Sequence, residues 1–285
     1  MSGYQLVETC CGSAALSLFR LGAKRPLLPY QGGKWRYRHS LGQIIDGLGF
    51  EGRPRHVTLT DPGPWGTVMG VVLTPERRTQ VVDRLRDLAQ QDARHIFDAL
   101  QGRAVAEDEV ELASEYLFLQ RLSFSGKAVG IRNGCWSSPG FNASSAYGLP
   151  GTDRFGAVNP MIPSLIRVLE GYDTTLDPTA RISCRRGSAQ TPRETQNARH
   201  PTLVYIDPPY RATTAYPNGT LSREQVVALA LAWHSAGATV LVSEAEALDA
   251  LVADGWQTRQ LYAGRQDTSP FRGKQEEWVT FSPAT

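Results

Sequence analysis

The sharpest chemical signal in the 285-residue sequence is Asp207-Pro208-Pro209-Tyr210, entered directly from the apolar run Leu203-Val204-Tyr205-Ile206. That run reads as a buried strand, and ligands of open α/β sheets bind at the carboxyl ends of such strands. A carboxylate and a nearby backbone carbonyl can accept both N–H groups of a ring-attached amine. Such an amine is a poor nucleophile while its lone pair is delocalised into the ring. Two acceptors favour the pyramidal, reactive nitrogen. Proline has no N–H, so this turn offers carbonyls without competing donors. Tyr210 adds a ring able to stack on a base turned out of a duplex. Asp-Pro-Pro after a strand is equally an ordinary turn sequence, so the reading depends on what surrounds it.

Two other expected strands also end in acids. Tyr4-Gln5-Leu6-Val7-Glu8 leads into the small-residue turn Cys11-Gly12-Ser13-Ala14-Ala15. A turn of that kind lets a cofactor approach the backbone, with the next helix N-terminus behind it. Val57-Thr58-Leu59-Thr60-Asp61 places Asp61 where an acid suits ribose hydroxyls. Glu8 reads also as a helix cap and Asp61 as the start of a turn. No GxGxxG pattern is present. Tyr30-Gln31-Gly32-Gly33-Lys34 is a Gly-Gly turn with a lysine. It reads either as an exposed loop or as a turn in which Lys34 meets a ligand carboxylate.

The elements that must position these residues alternate. A strand near the start is followed by a helix face from Leu16, Leu18, Phe19 and Leu21, which Gly22 ends. Leu41, Ile44, Ile45 and Leu48 mark a second helix, 75–101 reads as one helical stretch, and a further helix is expected over 109–122. Residues 123–160 are rich in Gly, Ser, Asn and aromatics, and a loop region this long is functional or disordered. A helix at 160–171, a strand at 181–184 and a polar loop at 187–200 lead to the Asp207 strand. Beyond it come a helix (222–236), the strand Thr239-Val240-Leu241-Val242-Ser243, a short helix, and strands near 257–263 and 277–281. This alternation predicts an α/β fold with a mostly parallel sheet and an antiparallel edge.

Length allows one α/β domain with a smaller lobe. The net charge of +2 and pI near 8.4 permit nucleic-acid binding without requiring it. Cys10, Cys11, Cys135 and Cys184 form no C-x-x-C pair and read as reduced thiols. The histidines are scattered, so no metal site is expected. Residues 1–8 lack the pattern of a signal peptide, and no apolar stretch reaches membrane-spanning length. A cytoplasmic protein is expected.

Together these residues resemble the Dam-like adenine-N6 DNA methyltransferases, over nearly the whole chain. Residues 203–210 look like that family's catalytic strand and tetrapeptide. Residues 30–34 resemble its motif with an aromatic and a lysine facing the cofactor, residues 8–14 its first cofactor motif, and residues 58–61 the next strand. The segment from Ala113 to Arg121, with Ser125-Gly126 and Gly140-Phe141-Asn142, is similar to the region before and within its target-recognition lobe. Glu276-Glu277-Trp278-Val279 resembles its closing hairpin. Three departures are visible. The Tyr30–Lys34 segment follows the first cofactor motif here and precedes it in the family. The usual Phe-x-Gly-x-Gly stands as Cys10-Cys11-Gly12-Ser13-Ala14. An Asp expected after the strand near 184 is replaced by Arg185-Arg186-Gly187-Ser188.

The resemblance implies a Rossmann-like methyltransferase sheet from residues 1–101 and 161–285, with a small loop-rich, helical target-recognition lobe over 102–160. It implies transfer of a methyl group from S-adenosylmethionine to N6 of a flipped adenine in duplex DNA. Asp207, Pro208, Pro209 and Tyr210 would be catalytic. Tyr30, Gly32, Gly33, Lys34, Glu8, Cys10, Gly12, Asp61 and Ser188 would bind the cofactor. Arg121, Lys127, Arg132 and Trp136 would meet DNA, with Trp136 able to fill the gap of a flipped base. A monomer suffices, in a bacterial or phage setting such as restriction–modification. N4 of cytosine, an RNA amine, or a catalytically weak nucleic-acid-binding descendant are the alternatives.

Overall fold

The computed structural model describes residues 3–28, 33–143, 161–187, 200–209, 221–261 and 277–283. Its centre is a seven-stranded sheet. Strands β1 (Gln5–Thr9), β2 (His56–Asp61), β5 (Arg181–Arg186), β6 (Thr202–Ile206) and β7 (Thr239–Glu244) run parallel, in the order β5-β2-β1-β6-β7. β9 (Glu277–Phe281) pairs antiparallel with both β7 and β8 (Gln257–Leu261), so it lies between them. β1 and β6 are buried along their whole length. Such central parallel strands carry continuous apolar runs because both faces are covered. The expected α/β sheet with an antiparallel edge is what forms, compatible with a Rossmann-like fold.

Alternate residues of the strands feed two cores. Val7, Val204, Ile206, Val240 and Val242 pack against α8 (Arg223–Ser235), chiefly through Val226, Ala230 and Trp233. Leu6, Leu59, Leu203, Tyr205 and Leu241 face the larger core. There α1 (Ala15–Leu21) and α2 (Arg38–Gly47) connect β1 to β2. The long excursion from β2 to β5 comprises α3 (Trp65–Val72), α4 (Pro75–Ala89), α5 (Ala93–Leu100), α6 (Glu109–Leu122), the hairpin β3 (Gly130–Arg132) and β4 (Cys135–Ser137), and α7 (Met161–Thr175). The short α9 (Asp249–Ala253) precedes β8.

Two helical expectations change. Residues 75–101 form two helices, because Asp92 caps α5 by accepting from the His95 amide at 2.7 Å. Helix α3 is an addition. A Cβ on its Gly66 would lie 2.3 Å from the Arg185 carbonyl oxygen, so only glycine lets this helix sit so close to β5.

The described part of 102–160 shares its core with the sheet. Leu112, Ala113, Tyr116, Leu117, Phe118, Leu119 and Leu122 of α6 are buried in the larger core, and Trp136 of the hairpin joins them. Buried Glu115 accepts from Trp136 Nε1 at 2.7 Å and pairs with Arg103. No described helix is long and apolar enough to cross a membrane.

Candidate functional site

The chain leaves β1 for β2 on one side and later returns to β6 on the other, so the order reverses between β1 and β6. Open α/β sheets bind ligands in the crevice outside the carboxyl ends at such a point. Thr9 and Ile206 are register partners there, and the Asp207 amide donates to the Thr9 carbonyl at 3.4 Å. Asp207 therefore lies directly across from the turn at residues 10–14.

That turn has an unusual backbone. Cys10, Gly12 and Ala14 have φ of 54°, 47° and 48°. A left-handed conformation costs a residue with a Cβ about 1–2 kcal/mol, so Cys10 and Ala14 need support from their surroundings. The Cys11 amide donates to the Thr60 carbonyl at 2.9 Å, and the Ala14 amide to the Cys11 carbonyl at 2.7 Å. Asp61 supplies the rest: its two carboxylate oxygens accept from the Gly12 amide at 3.0 Å and the Gly63 amide at 2.8 Å. Burial raises the pKa of Asp61 and these two amide bonds oppose the rise. One acid thus fixes the turns after both β1 and β2.

Glu8 takes a different place from the one its strand-end position suggests. It is 2% exposed, and one of its oxygens accepts from the Ser17 amide at 3.0 Å and the Ser17 hydroxyl at 2.5 Å. It ties α1 to β1 from below the turn. Burial pushes its pKa up to about 8, against the Ser17 hydrogen bonds.

Lys34 opens the short 3₁₀ turn Lys34–Tyr37, preceded by extended Gly33. Its Nζ lies 2.7 Å from Asp207 Oδ1 and 3.7 Å from Glu277 Oε1. The lysine expected to meet a ligand carboxylate meets the protein's own. The late position of residues 30–34 in the chain is no obstacle to this, since the 3₁₀ turn still reaches the carboxyl end of β6. Burial raises the pKa of Asp207, and the Lys34 ammonium works against that rise. Glu277 enters from the start of β9, which runs antiparallel and so begins at this same end. Glu244, at the end of β7, is pushed up to about 7, mainly by burial.

Glu244 and Glu277 were not singled out as site residues from sequence. The rule that found Glu8 and Asp61, an acid at a strand's carboxyl end, would have found Glu244. Glu277 required knowing that β9 is reversed. Tyr30, Gly32, Ser188 and Tyr210 lie outside the described residues.

The expected DNA contacts disperse. Trp136 is 1% exposed with its indole N–H bound to Glu115, so it is a core residue and not a stacking wedge. Arg121 is half-buried, its Nε donating to the Met161 carbonyl at 3.3 Å, and burial lowers its pKa. Lys127 is half-buried, while Arg132 is exposed beside the Asn133-Gly134 turn of the β3–β4 hairpin. Among the described residues no cluster of His, Cys, Asp or Glu could hold a metal ion. No protein-family model and no curated protein matches this chain.

Proposed function

We propose that this protein is an S-adenosylmethionine-dependent DNA methyltransferase acting on an exocyclic amine, N6 of adenine in the first instance. The observation that carries the proposal is Asp207-Pro208-Pro209 at the reversal point of the sheet, facing the open turn at residues 10–14. S-adenosylmethionine, when bound, supplies an electrophilic methyl group on sulfur. The turn backbone around Gly12, together with Asp61 and Gly33, would hold it. Asp61 fits that role because it is partly exposed and each of its oxygens, having accepted one amide, keeps a lone pair.

The chain's own residues account for activation of the amine. Asp207 accepts one N–H and the Pro208 carbonyl the other. Neither Pro208 nor Pro209 has an N–H to compete. Burial raises the Asp207 pKa and the Lys34 ammonium works against that rise, towards the ionised acid; a protonated Asp207 would donate where it must accept.

The decisive experiment incubates the wild type and an Asp207→Asn variant with S-adenosylmethionine and unmethylated duplex DNA, followed by nucleoside mass spectrometry. N6-methyladenine from the wild type alone supports the proposal. N4-methylcytosine keeps the mechanism and changes the base. A second reading, a nucleic-acid-binding protein without transfer activity, draws on the Lys34–Asp207 pair, which closes one oxygen of the acid. DNA binding with no methylated product would favour it.

A further inference from the structure

We infer that duplex DNA lies along the open edge of the sheet, its phosphates paired with Arg181, Arg185 and Arg186 of β5. The inference rests on the reading of DNA as substrate and relocates its main electrostatic footprint from the 102–160 segment. Among the described residues β5 is an edge strand, hydrogen-bonded to β2 alone within the sheet. Its six residues are Arg-Ile-Ser-Cys-Arg-Arg, and all three arginines are exposed. Among the described residues none of them has an acidic partner. Some arginines elsewhere on the surface do: Arg77 pairs with Glu109, Arg86 with Asp83 and Glu170, and Arg94 with Asp98.

The strand is also firmly placed. Ile182 and Cys184 are half-buried, and the Gly66 and Gly70 backbone of α3 lies against Arg185 and Cys184. Arg181 and Arg185 share a face with Ser183 between them. They are four steps apart along the strand, roughly 13 Å at about 3.3 Å per step. At the strand's start exposed Arg55 lies beside Arg181, its carbonyl accepting the Arg181 amide at 2.9 Å. Next to it the pKa of His56 is lowered, first by burial, then by His200 and Arg181.

The far end of β5 lies within reach of the proposed reaction. Arg186 is the register partner of Asp61. From β5 to β6 is three strand spacings of about 4.8 Å, roughly 14 Å in all. A duplex that delivers a base to Asp207 has backbone at that lateral distance. Guanidinium groups, the edge amides and Ser183 are the donors that contact phosphate without reading sequence.

The test compares three proteins by fluorescence anisotropy on a labelled unmethylated duplex across a salt series. They are the wild type, the triple variant Arg181→Gln/Arg185→Gln/Arg186→Gln, and a control triple of equal charge, Arg84→Gln/Arg86→Gln/Arg94→Gln. Each phosphate contact contributes about 0.9 to the slope of log K against log salt. The β5 variant is expected to lose about 2 to 3 from that slope and the control almost nothing. An unchanged slope, or equal losses in both triples, overturns the inference. If the β5 variant keeps its slope but self-associates, the arginines only guard an exposed edge. Loss of binding in the β5 variant from a wild type that binds DNA yet methylates nothing would keep this inference and sink the enzymatic one.

Discussion

Lys34 and Asp207 show how much one ion pair decides. Side-chain exposure is 5% for the lysine and 17% for the acid, so neither can rely on water for its charge. Removing one partner of such a pair strands the other and costs about 3–5 kcal/mol. Lys34→Met is therefore expected to lower urea stability by about that amount, and Lys34→Met/Asp207→Leu to recover only part of it, because buried Glu277 still loses its lysine. A second residue-scale expectation concerns Glu8. Its folded pKa of about 8 lies above the ordinary 4.5, so the unfolded chain releases this proton first. Its contribution to stability is complete below about 4.5 and is lost as pH rises through about 8. Glu8→Gln should flatten the dependence of melting temperature on pH across that window, with its largest relative gain on the alkaline side. A profile unchanged by the substitution would mean that Glu8 ionises normally.

At the scale of elements, α3 separates two glycines that look alike in sequence. A methyl group at Gly66 meets backbone at 2.3 Å, whereas one at Gly70 meets only the Cys184 Cβ, at 3.4 Å. Gly66→Ala should destabilise by about 1–3 kcal/mol, the range for overpacking. Gly70→Ala should be neutral or gain up to about 1 kcal/mol from helix propensity. Chemical denaturation of the two variants measures the contrast. The same pair explains why α3 was not legible: Trp-Gly-Thr-Val-Met-Gly-Val-Val contradicts helical propensity, and packing against β5 overrides it. The strands around Leu203, Val240 and Val57 were legible because burial on both faces leaves continuous apolar runs. Trp136 misled for the opposite reason. An aromatic among basic, loop-forming residues looks like a nucleic-acid contact, and only the fold shows Glu115 waiting for its N–H.

For the whole molecule, alternation of strands and helices revealed the α/β class but not the strand order, which is set by pairings between residues far apart in sequence. Nor could spacing show that the Gly33-Lys34 segment and Asp207, separated by most of the chain, converge. That convergence makes a global prediction. If the crevice holds S-adenosylmethionine, ligand at a hundredfold its dissociation constant adds about 2.7 kcal/mol of stability, seen as an upward shift in thermal unfolding. Asp61→Asn, which weakens the clamp on both turns, should reduce that shift more than Arg132→Gln, on the exposed hairpin. No shift in the wild type at saturating ligand would count against the cofactor assignment.

The placement of β9 also has a consequence in time. β8 leaves the ribosome before β9, yet among the described residues it has no partner in the sheet except β9, which in turn needs β7. A nascent chain halted before Glu277 holds β7 as a bare edge and β8 as an unattached segment, with Lys34 lacking the Glu277 carboxylate. The same late strand that closes the sheet thus completes the charge environment of Asp207, so unfinished or truncated chains carry the tetrapeptide without its finished surroundings.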